Sequence, residues 1–102
     1  MTAPEGFSVT DQIESYQWSN EETTAYEAAI EAVNGAVGAY SAQIAAEEAK
    51  DTPDPAVIAA ARVGQGVLAR EREQLRSTDP GQIAWAREHY AQLAREIRRA
   101  TA

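Results

Sequence analysis

The only histidine of the chain, His89, is the first residue to consider in a search for reactive side chains. Glu88 is its immediate neighbour and therefore projects from a different side of a helix. No serine or aspartate stands at a spacing that would make it a nucleophile or an orienting acid for His89. The chain also contains no cysteine, which excludes thiol catalysis and cysteine-ligated metals. We therefore predict that the protein is not an enzyme.

The sequence does not indicate a metal or cofactor site either. Carboxylate-bridged metal sites in helical bundles place a glutamate three residues before a histidine, and here that position is Ala86. The segment Gly64-Gln65-Gly66 lacks the preceding strand of a phosphate-binding loop. The paired acids Glu21-Glu22 and Glu47-Glu48 are interpreted as solvated helix ends. We expect no bound metal and no cofactor.

The segment IAWAREHYAQL (83–93) places two aromatic rings away from the apolar side of a predicted helix. At about 100° per residue, Trp85 lies roughly 200° from Ile83 and His89 roughly 240° from it, so the two are neighbours. Trp85 is either covered by apolar residues near the N-terminus or free to contact a partner, because tryptophan is common in binding hot spots. The partner-binding candidates are Trp85, His89 and Trp18, and the N-terminal residues that could cover Trp85 are Phe7, Ile13 and Trp18.

Start and stop signals predict three helices to position these side chains. The capping box Ser19-Asn20-Glu21-Glu22 opens a helix over about 20–50. Asp54-Pro55 and Asp79-Pro80 are N-cap and first-turn pairs that open helices over about 55–76 and 80–100. In the third helix, Gln82 is expected to complete a capping box with Asp79. The predicted fold is all-α, an antiparallel three-helix bundle or an extended helical hairpin. It forms a single domain (20–102), preceded by an arm or short helix (1–19).

Apolar residues recur at heptad spacing on the first and third predicted helices and form a seam along each of them. The first helix carries Tyr26, Ile30, Val33, Val37, Tyr40 and Ile44. The third carries Ile83, Ala86, Tyr90, Leu93, Ile97 and Ala100. The second has one stripe of Val57, Ala61, Gly64, Leu68 and Leu75, and another of Ala56, Ala60, Val63 and Val67. Two apolar faces on one helix predict neighbours on two sides.

The first helix carries a second stripe, made of alanines. It lies about 100° from the large residues and permits close helix approach. Because only fifteen residues are Val, Ile or Leu, the core is expected to be thin, which favours self-association through this stripe as a homodimer. Alternatively, alanine stands there only because it is a strong helix former. The self-association candidates are Ala25, Ala28, Ala32, Ala36 and Ala39.

The net charge of -7 is unevenly distributed along the chain. Residues 1–53 hold ten acidic side chains and one lysine, whereas residues 54–102 hold six acidic side chains and eight arginines. The favoured interpretation is that the halves pack together and partly neutralise each other. The alternative is an acidic surface, with Glu27 and Glu31 one turn apart, that mimics DNA or inhibits a basic partner as an antitoxin does. A third candidate is weak DNA binding through Arg95 and Arg98, although the pI of about 4.6 disfavours nucleic acid.

These patterns together predict a small acidic helical protein that acts through protein–protein contacts and self-associates. Its partner is unidentified and expected to be basic. Arginine-over-lysine usage and abundant alanine are typical of GC-rich bacterial genomes, which indicates a bacterial source. A small acidic chain would fit an accessory or regulatory role in a mobile element or defence locus. No stretch approaches the roughly 20 apolar residues of a membrane span, and no signal peptide is evident, so we expect no membrane partner and a cytoplasmic location.

Overall fold

The structure, a computed structural model, describes the backbone of residues 9–102 and the side chains of residues 20–102. It consists of α1 (Val9–Glu48), α2 (Pro55–Glu73) and α3 (Pro80–Thr101), with no strand in the described backbone. The predicted all-α, three-helix fold is confirmed. The molecule is elongated, with extents of 73 × 22 × 20 Å. None of the described helices is both long enough and apolar enough to cross a membrane.

Helix α1 begins at Val9, eleven residues before its predicted start near residue 20. No proline or glycine occurs between residues 7 and 34, so nothing stops helix propagation through Ser19 and Asn20. Ser19 is therefore inside the helix and is not its N-cap. The predicted arm is accordingly continuous with α1 from Val9 onward, while residues 1–8 and the side chains of Phe7, Ile13 and Trp18 lie outside the described residues.

The starts of α2 and α3 agree with the predicted N-caps. The side chain of Asp54 accepts a hydrogen bond from the backbone N–H of Ala56 at 2.9 Å, and Asp79 accepts one from Gln82 at 3.0 Å. In both helices proline follows the cap, where its missing N–H costs nothing. These two aspartate–proline pairs set where the chain reverses direction.

Gln82 has a different partner from the one predicted. Its side chain accepts from the backbone N–H of Arg76 at 2.8 Å and donates to the carbonyl of Gln74 at 3.1 Å. The N–H of Asp79, which a capping box would satisfy with Gln82, donates instead to the carbonyl of Arg76. Gln82 therefore ties the beginning of α3 to the end of α2.

Helix α1 packs against both shorter helices, whereas no Cα atom of α2 comes within 8 Å of one in α3. Helix α2 returns along the second half of α1. There Gln65 donates to the carbonyl of Val37 at 3.1 Å, and Arg72 donates to the Asn34 side chain at 2.6 Å. Helix α3 then runs in the same direction as α1, because Ile83 borders Ala25 and Thr101 borders Glu47.

The core of α1 is formed by its alanine stripe, contrary to the interpretation of that stripe as an exposed self-association face. Ala36 is 0% and Ala39 1% exposed. Ala25 and Ala32 pack against the same core, and Ala28 is half-buried. Alanines Ala86 and Ala94 are buried on α3 as well, so small side chains on both helices allow close approach. The alanine stripe therefore forms part of the core of the chain itself.

The large residues of α1 lie mainly at the flank of this core. Of its predicted seam only Val33 is fully buried; Tyr26, Ile30, Val37, Tyr40 and Ile44 are half-buried. The seam of α3 is predicted more accurately. Ile83, Ala86, Tyr90 and Ile97 are buried as expected, while Leu93 is half-buried, Ala100 is exposed and Ala94 takes part instead.

Helix α2 has only one packed face among the described residues. Ala61 and Leu68 of its first stripe are buried, but Ala56, Ala60, Val63 and Val67 of its second stripe are exposed. The prediction of neighbours on both faces is therefore wrong within the described chain. Val63 is 67% exposed, which leaves an apolar strip on the outside of α2.

Glu47 organises the connection between α1 and α2 and is not a solvated helix end. Its side chain is buried and accepts hydrogen bonds from Lys50 Nζ at 2.7 Å and the Asp54 N–H at 3.0 Å. The Lys50 contact, followed by that N–H, lowers the pKa of Glu47. A buried carboxylate is thereby kept charged and satisfied.

Gly64 lies where α2 crosses the ring of Tyr40, and we predict opposite effects for alanine at the two glycines of α2. A Cβ at Gly64 would lie 2.6 Å from Tyr40 Cζ, whereas one at Gly66 would meet nothing within 4 Å. Gly64→Ala is expected to destabilise the protein by about 1 kcal/mol, because the ring must move, and Gly66→Ala to stabilise it by about 0.5–1 kcal/mol through helix propensity. Chemical denaturation measures both. In a Tyr40→Ala background the Gly64 substitution should become stabilising; persistent destabilisation there would contradict the assigned contact.

Candidate protein-binding site on α3

Trp85 and His89 form an exposed aromatic patch, here called the α3 aromatic patch. One turn of α3 separates the two residues, and their rings are stacked with centroids 4.4 Å apart and an interplanar angle of 12°. Trp85 remains 56% exposed. The sequence correctly placed these two rings side by side and away from the seam. It left open whether residues of the same chain cover Trp85, and the side chains predicted for that role, Phe7, Ile13 and Trp18, lie outside the described residues.

Tyr90 connects the patch to the core, a role that its seam position did not reveal. Its ring meets Trp85 and His89 edge to face, with centroid distances of 5.8 and 5.1 Å. Tyr90 is itself buried, and its hydroxyl donates to Glu71 Oε2 on α2. Burial, and then the hydrogen bond and charge of Glu71, raise the pKa of Tyr90 well above its usual range. The α3 aromatic patch is therefore packed against a buried and hydrogen-bonded residue, Tyr90.

Glu88 and Gln92 complete a shallow concavity with Trp85 and His89. Gln92 is held on both sides, because its Nε2 donates to Glu96 at 3.2 Å and its Oε1 accepts from Arg95 at 2.7 Å. Glu88 makes no hydrogen bond or ion pair within the described residues. The concavity thus combines an aromatic surface with an open carboxylate.

The acidic candidates Glu27 and Glu31 are on a different helix from the aromatic patch. Both are exposed, and their positions are roughly 160–200° from the buried Ala29 around α1. They form no ion pair with any described residue. Of the described ion pairs only Arg62–Glu48, at 4.0 Å, joins the acidic and basic halves of the chain. The halves pack together, but direct charge pairing between them is sparse.

Two of the four arginines of α3 form hydrogen bonds within the chain. Arg98 reaches the carbonyl of Gly35 at 3.4 Å, and Arg95 contacts Gln92. No cluster of three or more potential metal ligands occurs among the described residues. The side chain of Trp18, the remaining partner-binding candidate, lies outside them.

The chain belongs to the all-α class, with a long helix flanked by two shorter ones. Comparison with protein-family models, with curated proteins and with solved structures gave no match. Function is therefore inferred from the chain's own side chains.

Proposed function

We propose that this protein is a non-enzymatic interaction module that binds a partner protein through the α3 aromatic patch. The exposure of Trp85 carries the proposal. A tryptophan that is 56% exposed leaves a large apolar area in contact with water, and burying it in an interface is favourable. The stacked His89 and the buried Tyr90 hold the ring in place, which lowers the entropy cost of binding.

We expect Trp85→Ala to abolish partner binding while lowering the stability of the fold by less than about 1 kcal/mol, because the ring is mainly on the surface. A photo-crosslinking amino acid at the exposed position 84, next to Trp85 and outside the lining of the concavity, should trap a discrete partner in cells. The same amino acid at the exposed position 45 on α1 is the matched control. Cross-links that are equal at both positions, or that survive in Trp85→Ala, would argue against the patch as the interface.

A second candidate function uses the acidic surface of α1. Glu27 and Glu31 are exposed and unpaired within the described chain, as an inhibitor of a basic protein by DNA mimicry requires. Binding of that kind would weaken at high salt and in the Glu27→Gln, Glu31→Gln double variant. It would be insensitive to Trp85→Ala, which separates it from the first proposal.

DNA binding through α3 has less support, because Arg95 and Arg98 already contact groups within the chain. DNA binding would be supported by a gel shift of DNA at low salt that is weakened when Arg95 and Arg98 are both replaced by alanine.

Self-association remains a prediction, but it needs a different surface from the alanine stripe. The exposed strip of α2 around Val63 and Val67 is one described apolar surface for it, beside the α3 aromatic patch. Light scattering after size-exclusion chromatography gives the oligomeric state directly. A cytoplasmic, bacterial accessory role is proposed on composition alone.

A further inference from the structure

We propose that the concavity formed by Trp85, Glu88, His89 and Gln92 binds an arginine side chain from a basic segment of the partner. This inference rests on the proposed function and specifies the chemistry of the partner. The guanidinium stacks against the exposed part of the Trp85 ring and pairs with the Glu88 carboxylate. Aromatic surface and carboxylate line the same concavity, as such recognition requires.

Glu88 is available for this role because no cation of its own helix neutralises it. Ion pairs on a helix form between residues three or four apart, and those positions around Glu88 are Ala84, Trp85, Ala91 and Gln92. Arg95, two turns away, donates to Gln92 Oε1 and not to Glu88. The carboxylate is thus left beside the aromatic ring without a partner among the described residues.

Charge complementarity selects a basic partner over an acidic one. Although α3 carries more arginines than glutamates, Glu88 is the charged residue that lines the concavity, so the charge inside it favours a cationic group. Arginine suits the site better than lysine, because its guanidinium is planar, stacks on aromatic rings and donates to both oxygens of a carboxylate. The stacked His89 ring occupies one face of Trp85, which limits the guanidinium to the remaining exposed surface.

The test is an NMR titration of the full chain with a hexa-arginine peptide at physiological ionic strength. The indole N–H of Trp85 reports on the site, and Trp18→Phe assigns the second indole signal of the chain. We expect a saturable shift of the Trp85 signal with hexa-arginine, a weaker one with hexa-lysine, and none with hexa-citrulline, which lacks the charge. Trp85→Ala, followed through backbone amide signals of α3, should weaken hexa-arginine binding about tenfold, on the scale of a partly desolvated cation–π contact.

Glu88→Gln and Glu27→Gln form the matched pair, since each removes one exposed negative charge. Glu88→Gln should weaken hexa-arginine binding about fourfold, as loss of an exposed ion pair allows, and Glu27→Gln by less than about 1.5-fold. Equal effects of the two variants, or no shift at Trp85, would overturn the arginine site. If the cellular cross-link is lost in Trp85→Ala but persists in Glu88→Gln, the interaction surface stands and only the arginine chemistry fails.

Discussion

Replacing Ala36 with leucine is expected to destabilise the fold by about 3 kcal/mol, the largest effect of any substitution considered. Ala36 is fully buried in the core that alanines of α1 and α3 share. Three additional carbon atoms have no space there, so the helices must separate or the side chain must adopt a strained rotamer. In a domain of this size such a loss lowers the melting temperature by more than about 10 °C.

The control for this prediction is the same substitution at Ala45, which is exposed on α1. Ala45→Leu should change the melting temperature by no more than about 3 °C, because a surface site has space for the larger side chain. Calorimetry or thermal circular dichroism of the two variants gives the comparison. A wild-type melting temperature for Ala36→Leu, together with a change in oligomeric mass, would instead support the original interpretation of the alanine stripe as an outward face.

Replacing Tyr90 with phenylalanine should cost about 2 kcal/mol, because a hydrogen bond to a charged group is lost and Glu71 is left half-buried without it. The ring stays in place, so the core volume is unchanged. This bond also links α2 directly to α3, although no Cα atoms of the two helices lie within 8 Å of each other. Tyr26→Phe is the matched control, since the Tyr26 hydroxyl has no hydrogen-bond partner among the described residues. Equal stabilities of the two variants in urea would show that the Tyr90–Glu71 bond contributes nothing.

The same bond predicts how stability changes at alkaline pH. The pKa of Tyr90 is raised in the folded state, so its contribution is fully present below the ordinary tyrosine value of 10.0 and is lost as the pH rises toward the folded-state pKa. Wild-type stability should therefore fall above pH 10 more steeply than that of Tyr90→Phe. Absorbance titration of the folded protein should show a tyrosine ionisation well above pH 10 that is missing from Tyr90→Phe. Parallel pH profiles for the two proteins would contradict the assignment.

Prediction from the sequence was accurate where local chemistry decides the outcome. The aspartate–proline pairs at Asp54 and Asp79 mark the starts of α2 and α3, because a proline cannot continue the preceding helix and an aspartate satisfies free N–H groups. The start of α1 was not predicted, since Ser19 and Glu22 form a capping pattern that a continuous helix can also contain. Local signals permit a helix start, but they do not require one.

The geometry of α3 explains why its aromatic patch could be predicted from the sequence, whereas the Tyr90–Glu71 contact behind the patch could not. Helix periodicity alone places Trp85 next to His89 and away from Ile83. The contact of Tyr90 with Glu71 joins residues 19 positions apart on different helices, and no local pattern specifies it. The aromatic patch is thus a property of one helix, whereas its anchoring is a property of the packed chain.

The amino-acid sequence by itself determined the helical class, the two reversals of the chain and the adjacency of Trp85 and His89. Only the tertiary structure decided which stripe of α1 is the core. Both stripes are periodic and apolar, and the larger residues suggested the wrong one. The choice depends on the partner helix: Ala86 and Ala94 of α3 are buried in the same core as Ala36 and Ala39, so small side chains fill this core and Tyr26 and Tyr40 lie at its margin. Periodicity defines the angle between residues on one helix, but the size of side chains on two helices determines which face is buried.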